Sequence, residues 1–303
     1  MTERKHFEVI VVGGSYSGLS AAMSLGRSLR HVLVIDSGWP CNRQTPHSHN
    51  FITQDGEKPA VISALAKEQV ALYETVQFYN GLVVQVLEKE SKFEVKTEVG
   101  TVFTAKKILF ATGVKDLIPA IDGFAECWGI SVLHCPYCHG YEVKGEKTAV
   151  IANGDLGFEY VKLISNWTSE LSLLTNGEST LSAAQNELLQ KHEIKVIDDE
   201  IDLFLHVNGS IREIVFKNKS KMEVKAVYSK VPVVQHCLLP EALGCELTEQ
   251  GLLKVDLFQR TNVPGIYASG DNTIQARSVA MAVSSGSFAG ASINRELIDE
   301  SFV

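Results

Sequence analysis

The chain has 303 residues, 45% of them hydrophobic, and 28 basic against 36 acidic side chains give it a formal charge of −8. That length admits one large domain or two ordinary ones, and the acidic balance argues against a nucleic-acid-binding surface. No apolar run approaches the ~20 residues of a membrane helix, and the polar start Met1-Thr2-Glu3-Arg4-Lys5-His6 has no signal core, so a cytoplasmic protein is expected.

Residues 7–36 predict a βαβ unit. Phe7–Val12 is an apolar strand, Gly13-Gly14-Ser15-Tyr16-Ser17-Gly18 a turn, Leu19–Leu29 a helix and Val32–Ile35 a second strand ended by Asp36. Such a turn brings backbone close to a pyrophosphate, and the helix N-terminus adds free N–H groups and a favourable dipole. Ser15 stands where the middle glycine of GxGxxG falls. Asp36, 23 residues after Gly13, is placed to accept from ribose hydroxyls.

Cys41 to Asn50 is a polar loop suited to the adenosine end of a nucleotide, with Arg43 near phosphate or ribose. His47 and His49 lack a third ligand nearby, so no metal is expected. An amphipathic helix follows from about Ala60 to Tyr73. The period then becomes two: Leu82–Leu87, Phe93–Thr97 and Thr101–Phe103 predict a small antiparallel meander. Strand Ile108–Phe110 ends in Ala111-Thr112-Gly113, a second close approach to a cofactor.

Cys135-Pro136-Tyr137-Cys138-His139-Gly140 comes next, and it is the most specific signal in the chain. A CxxC pair switches between dithiol and disulfide within one turn of backbone. In a chain without an export signal it is catalytic or metal-binding rather than a structural staple. CxxCH also fits c-type haem attachment, which the missing signal segment argues against. Structural zinc needs four ligands, and no second CxxC or HxxxH follows. The other cysteines, Cys41, Cys127, Cys237 and Cys245, read as small buried hydrophobes, and Trp39, Trp128 and Trp167 as packing residues.

The second half repeats the first. Thr148–Ile151 is a strand, Ala152–Gly157 a turn, Phe158–Ser165 a helix and Leu171–Leu174 a strand. A helix at Ser182–Lys191 and a meander over Lys195–Ser229 follow, with Asp198-Asp199-Glu200 as a solvated turn. From Pro240 the chain holds a strand ending in Ala268-Ser269-Gly270-Asp271, with Asp271 facing the polar middle of a long cofactor, and a long small-residue helix to the C-terminus. Hinges are expected near Gly113–Pro119 and Val231–Pro240. The fold expected is α/β: two Rossmann-like, three-layer nucleotide-binding domains, the second inserted into the first, each with a small antiparallel β-meander. Residues 1–115 and 237–303 would form the first, and 116–236 the inserted nicotinamide-type domain carrying the CxxC.

This order of motifs resembles the low-molecular-weight thioredoxin reductases, FAD-dependent pyridine nucleotide-disulfide oxidoreductases that are usually homodimers. The resemblance spans nearly the whole chain. It implies an FAD site at Gly13, Gly14, Ser15, Tyr16, Ser17, Gly18, Asp36, Ser37, Arg43, Asn50, Val83, Ala111, Thr112, Gly113, Gly270, Asp271, Arg277, Ser278 and Val279, the last three over the flavin. It implies that Cys138 lies nearer the flavin and that Cys135 exchanges with substrate, a thioredoxin-like protein or a small dithiol or disulfide. Three departures stand out. His139 replaces the usual Asp after the second cysteine, and would move the proton at each step. Ala152 replaces the first glycine of the nicotinamide loop. Thr175-Asn176-Gly177-Glu178 replaces the arginine-rich stretch that holds a 2′-phosphate, which argues against NADPH and leaves NADH open. CxxC-His-Gly with a weakened loop is also similar to small-molecule dithiol oxidases, related to the gliotoxin and holomycin enzymes, which pass electrons to oxygen. Reductases with another electron donor, and a non-catalytic FAD-binding redox sensor, are the remaining readings. His134 and His139, flanking the pair, are candidates to lower a thiol pKa.

Overall fold

The computed structural model describes residues 5–90 and 92–302; the polar start Met1–Arg4 and the last residue of the expected C-terminal helix lie outside them. In chain order, β1 (His6–Val12), α1 (Tyr16–Arg27), β2 (Val32–Asp36), α2 (Pro59–Ala71), β3 (Val76–Asn80), β4 (Val83–Lys89), β5 (Lys92–Thr97), β6 (Val102–Phe110) and β7 (Val114–Asp116) come first. Next are α3 (Phe124–Cys127), β8 (Val132–Leu133), α4 (Pro136–His139), β9 (Thr148–Ile151), α5 (Gly154–Ile164), β10 (Leu171–Leu174), α6 (Ala183–Lys191) and β11 (Lys195–Ile197). The strands β12 (Ile201–Val207), β13 (Ser210–Phe216), β14 (Lys221–Glu223), β15 (Ala226–Ser229) and β16 (Val233–Gln235) follow, then α7 (Leu239–Ala242), β17 (Ile266–Ala268) and α8 (Val279–Ser301).

The chain forms two compact units. The first takes residues up to Arg43, Phe51–Lys115 and Val233 onward. Its seven-stranded sheet runs β3-β2-β1-β6-β5-β4, with β17 also on β6. β1 is apolar on both faces, as a central parallel strand must be. Ile10 and Val12 enter one core with Ile35, Phe93 and Phe110, while Val9 and Val11 enter the other with Leu19, Leu25 and Ile293. The expected strands at Thr101–Phe103 and Ile108–Phe110 are one strand, β6. Its middle stays extended because β1 pairs along it, Phe7 with Ala105 and Val9 with Lys107. β5 joins the first half of β6 and β17 the last three residues. The meander is therefore the edge of the main sheet.

The second unit takes Gln44–Asn50 and Asp116–Pro232, and is inserted into the first. A five-stranded sheet, β11-β10-β9-β15-β8, is accompanied by an antiparallel sheet β12-β13-β14. Its parallel strands carry Leu133, Val150, Leu173 and Tyr228 into one core with α5, and Val132, Ala149, Leu174 and Val227 into another.

Two helices begin earlier than their sequences predict. α1 starts at Tyr16 rather than Leu19, and α5 at Gly154 rather than Phe158. Glycines read as turn residues are helical here for close approach: a Cβ at Gly18 would lie 1.9 Å from the Gly13 carbonyl oxygen. Trp39 is a second correction, being 67% exposed instead of packed. Cys41 is also exposed, while Cys127 and Cys245 are buried and Cys237 is half-buried.

Candidate active site

In the first unit the carboxyl ends of β1, β2, β6 and β17 carry the glycine turns and Asp36, the place where open α/β sheets bind ligands. Gly13 has φ +104°, and a Cβ there would meet the Ala111 carbonyl oxygen at 2.3 Å. The Gly14 N–H donates to Asp36 Oδ1 at 3.0 Å. Ser15 is extended and makes no side-chain cap, so the leading amides of the 12-residue α1 are left to another acceptor. Tyr16 is buried against Ile62 and Ala282, its hydroxyl donating to the Pro59 carbonyl. Ser17 Oγ lies 2.7 Å from Ser269 Oγ, and a Cβ at Gly270 would press on Ser17 at 2.9 Å. Asn272, fully buried, donates to the Phe110 carbonyl at 2.9 Å and to Thr112 Oγ1 at 3.4 Å, tying the turn after β17 to that after β6. Its Oδ1 has no partner among the described residues. Arg277 Nε stands 3.5 Å from Asp271 Oδ2, and Ser278 caps α8, which starts at Val279, by accepting from Met281 N–H.

An uncapped helix N-terminus, a carboxylate beside it and backbone held close by glycines together fit a dinucleotide such as FAD. The geometry brings together Gly13 to Gly18, Asp36, Ala111 to Gly113, and Gly270 to Val279. Val83 begins β4 with its side chain in the core. Ser37 is exposed. Arg43 is exposed too, its guanidinium 5.6 Å over the Trp39 ring. Asn50, with φ +59°, belongs to the segment that packs with the second unit.

In the second unit β8 leads directly to the cysteine pair. Cys135 is the extended residue before α4, with Pro136 at the first helical position. The N–H groups of Cys138 and His139 both donate to the Cys135 carbonyl at 3.2 Å, closing the turn. The two sulfurs lie 2.7 Å apart. The Cys135 thiol is brought down to about 7: the hydrogen bond from Cys138 does most, burial opposes it, and the Cys138 and Tyr137 amides add to it. A Cβ at Gly140 would lie 2.7 Å from Trp167 Nε1, so this glycine lets the turn seat on Trp167. Tyr137 meets the same indole edge-on at 5.6 Å. Beneath, the Tyr160 hydroxyl donates to the His134 carbonyl at 2.8 Å, and Tyr228 pairs with Leu133.

His139, next in the chain to Cys138, departs from an ordinary imidazole. Burial, then the neighbouring His49 charge, lower its pKa, and Glu142 only partly offsets them. Its lowered pKa favours the neutral imidazole, the form that accepts a proton, and the Cys135 thiolate is held by a thiol and amides. His134 stacks on Trp128, centroids 5.8 Å apart. Sequence reasoning missed Glu142 and Trp167 at this site, and gave His49 no part in it. His49 sits 3.6 Å from Glu142. Only the closeness of Glu142 to the CxxC in sequence signals any of these.

The second glycine loop is closed by its own residues. Asn153 Oδ1 accepts from the Gly154 and Thr180 N–H groups at 2.8 and 2.9 Å and from Thr180 Oγ1 at 3.2 Å. Its Nδ2 donates to the Glu178 carbonyl at 2.8 Å. One side chain thus stitches residues 178–180 onto the start of α5. Gln185 adds a hydrogen bond to Asp155 at 2.8 Å. Thr175, at the position for an acidic ribose ligand, is buried and donates to the Gly177 carbonyl at 2.7 Å.

Residues 7–286 match the model of the pyridine nucleotide-disulphide oxidoreductase family. The chain belongs to that family. It is a thioredoxin-reductase-like flavoenzyme, and FAD is its cofactor. Thioredoxin reductase tcpT of Claviceps purpurea is 31% identical over 305 residues, 96% of this chain and 94% of the relative. The solved structure of an oxidoreductase from Agrobacterium tumefaciens is 34% identical, with a TM-score of 0.90 over 97% of this chain and 99% of that one. The structure of HlmI, 29% identical, gives a TM-score of 0.93 over 100% and 96%.

Proposed function

We propose that this oxidoreductase works mainly in the direction of dithiol oxidation, taking electrons from a small dithiol through Cys135 and Cys138 to FAD and on to oxygen. The observation that carries this reading is the closure of the second nucleotide loop by Asn153, which takes the first amide of α5 and ties residues 178–180 over that helix start, where a nicotinamide dinucleotide would need room. With no arginine in Thr175–Glu178, a 2′-phosphate also lacks its fork.

A substrate thiolate attacks Cys135 of the Cys135–Cys138 disulfide and releases the Cys138 thiolate. The second substrate thiol then attacks its own sulfur partner in the mixed disulfide. Cys135 leaves as a thiolate, held by the Cys138 and Tyr137 amides, and the substrate leaves as a disulfide. His139 accepts the protons shed by the two thiols. FAD would be held by Gly13 to Gly18, Asp36, Ala111 to Gly113 and Gly270 to Val279, and would supply the two-electron sink as Cys135 and Cys138 rejoin in their disulfide, with oxygen as the final acceptor reduced to hydrogen peroxide. The balance is one dithiol plus oxygen to one disulfide plus peroxide.

A second reading, reduction of a thioredoxin-like protein by NADPH or NADH, is favoured by the name that tcpT carries. No helix among the described residues is long and apolar enough to cross a membrane. A cytoplasmic homodimer is part of the proposal, supported by the resemblance and checked by light scattering and fractionation.

Anaerobic absorbance titration of the FAD-loaded protein tests the direction. Bleaching by dithiothreitol but not by stoichiometric NADPH or NADH is expected, with oxygen consumption when dithiol and air are both present. Stoichiometric bleaching by either nicotinamide would make the enzyme a reductase.

A further inference from the structure

The loop after β2 does not stay with the strand it follows. Its Gln44–Asn50 segment packs with the second unit. Gln44 Nε2 donates to the carbonyls of Ala125 and Trp128 at 3.2 and 3.3 Å. A Cβ at Gly129 would come within 3.1 Å of Thr45 Oγ1. Anchored there, the segment presents His49 to the residues just past the cysteine pair. His49 Nδ1 stands 3.6 Å from Glu142 Oε1. Its ring meets His139 perpendicularly, centroids 6.3 Å apart, and His47 follows at 6.4 Å on the other side. The titratable groups around His139 are therefore His49 with His47 beyond it from this segment, Glu142 from the chain after α4, and Cys135 and Cys138 on its own turn.

Each dithiol oxidised sheds two protons. A half-buried imidazole that takes one must pass it on before it can take the next. A second imidazole with a partly exposed carboxylate 3.6 Å from its Nδ1 is placed for that transfer.

We propose that His49, steadied by Glu142, is the outer half of a two-histidine proton path: His139 receives the substrate thiol proton, and His49 carries it to solvent. No electrons move on this path. The assignment rests on the reading of His139 as the proton acceptor in dithiol oxidation. It gives the Gln44–Asn50 part of the loop after β2 a positioning role at the redox site.

The test uses FAD-loaded protein and stopped-flow flavin reduction by dithiothreitol, from about pH 6 to 8, the range in which histidines titrate. His49→Gln should slow reduction by about tenfold or more while the final extent of bleaching stays the same. His49→Ala should regain rate with added imidazole, which a merely structural role would not allow. The His139 ring-proton resonances give a readout independent of turnover. Their pKa should rise in His49→Gln, which removes a neighbouring positive charge, and fall in Glu142→Gln, which removes a negative one. If the rates, rescue and His139 titration of these variants all match the parent, the path does not exist. If dithiothreitol fails to reduce the parent flavin, the dithiol-oxidising function falls. Opposite His139 shifts in that case would still uphold the cluster as a unit, and absent shifts would overturn it.

Discussion

The cysteine pair shows how far local sequence reaches. CxxC followed by His was enough to name the reacting groups, because the spacing itself puts both sulfurs on one turn. What holds the thiolate was not legible. The flanking histidines invited an electrostatic explanation, whereas the structure lowers Cys135 to about 7 chiefly through the Cys138 thiol. Removing that donor in Cys138→Ala should move the Cys135 titration upward toward an ordinary thiol near 8.5. The midpoint of iodoacetamide alkylation against pH in the reduced protein measures it. The sign carries into stability. A thiol whose folded pKa is below its unfolded value stabilises the reduced fold fully above the unfolded pKa, near 9, and loses that contribution as pH falls through about 7. Urea midpoints of the reduced parent should thus rise from about pH 7 to 9 more than those of Cys138→Ala. His49 and Trp167 escaped sequence reading because they come from other segments, and only folding puts them beside His139 and Gly140.

Strands were easier to read than helix starts, and the reason lies in the glycines. A glycine inside GxGxxG looks like a turn, yet Gly18 is helical because α1 must pass within contact of its own incoming loop. The same device sets α1 against α8. Ser20 Oγ donates to the Val283 carbonyl at 2.7 Å, and Gly286 and Gly290 face Ser17 and Ala21. A Cβ at Gly286 would lie 2.1 Å from the Ser17 carbonyl oxygen, a backbone atom that cannot swing aside. Gly286→Val should therefore cost about 2–3 kcal/mol or more, the price of overpacking a rigid contact. Because Ser17 lies in the first turn of α1, FAD retention should fall with it. Thermal melting and the flavin-to-protein absorbance ratio report the two effects. Substitution at Gly113 offers the contrast. Its Cβ would meet nothing within 4 Å, so Gly113→Ala should cost only the left-handed backbone, about 1–2 kcal/mol.

The duplicated architecture was legible because both halves repeat strand, glycine loop, helix and strand in the same order, and both sheets are parallel in their cores. The functional difference between the halves rests on a few side chains. In the first loop Ser15 leaves the helix amides uncapped, and in the second Asn153 takes the first of them for itself. The sequence showed that Ala152 and Thr175 depart from a nicotinamide site, but not that Asn153 bonds across to residues 178–180, since that contact joins segments 25 residues apart. If this closure is what keeps nicotinamides out, releasing it should change the electron source. In Asn153→Gly the cap itself costs only a few tenths of a kcal/mol, and loss of its links to Glu178 and Thr180 should bring the loss of stability to about 1 kcal/mol. The Gly154 amide becomes available and residues 178–180 are released from it at the same time. NADH, with no 2′-phosphate to place, should then bleach the flavin slowly at millimolar levels, while NADPH stays ineffective and the parent protein responds to neither. Equal and rapid bleaching of parent and variant would mean that the closed loop opens at no cost in solution. Failure of both, with flavin still reduced by dithiol, would mean that the missing acidic ligand at Thr175 is the larger barrier, and Thr175→Glu in the Asn153→Gly background is the variant that separates these two causes.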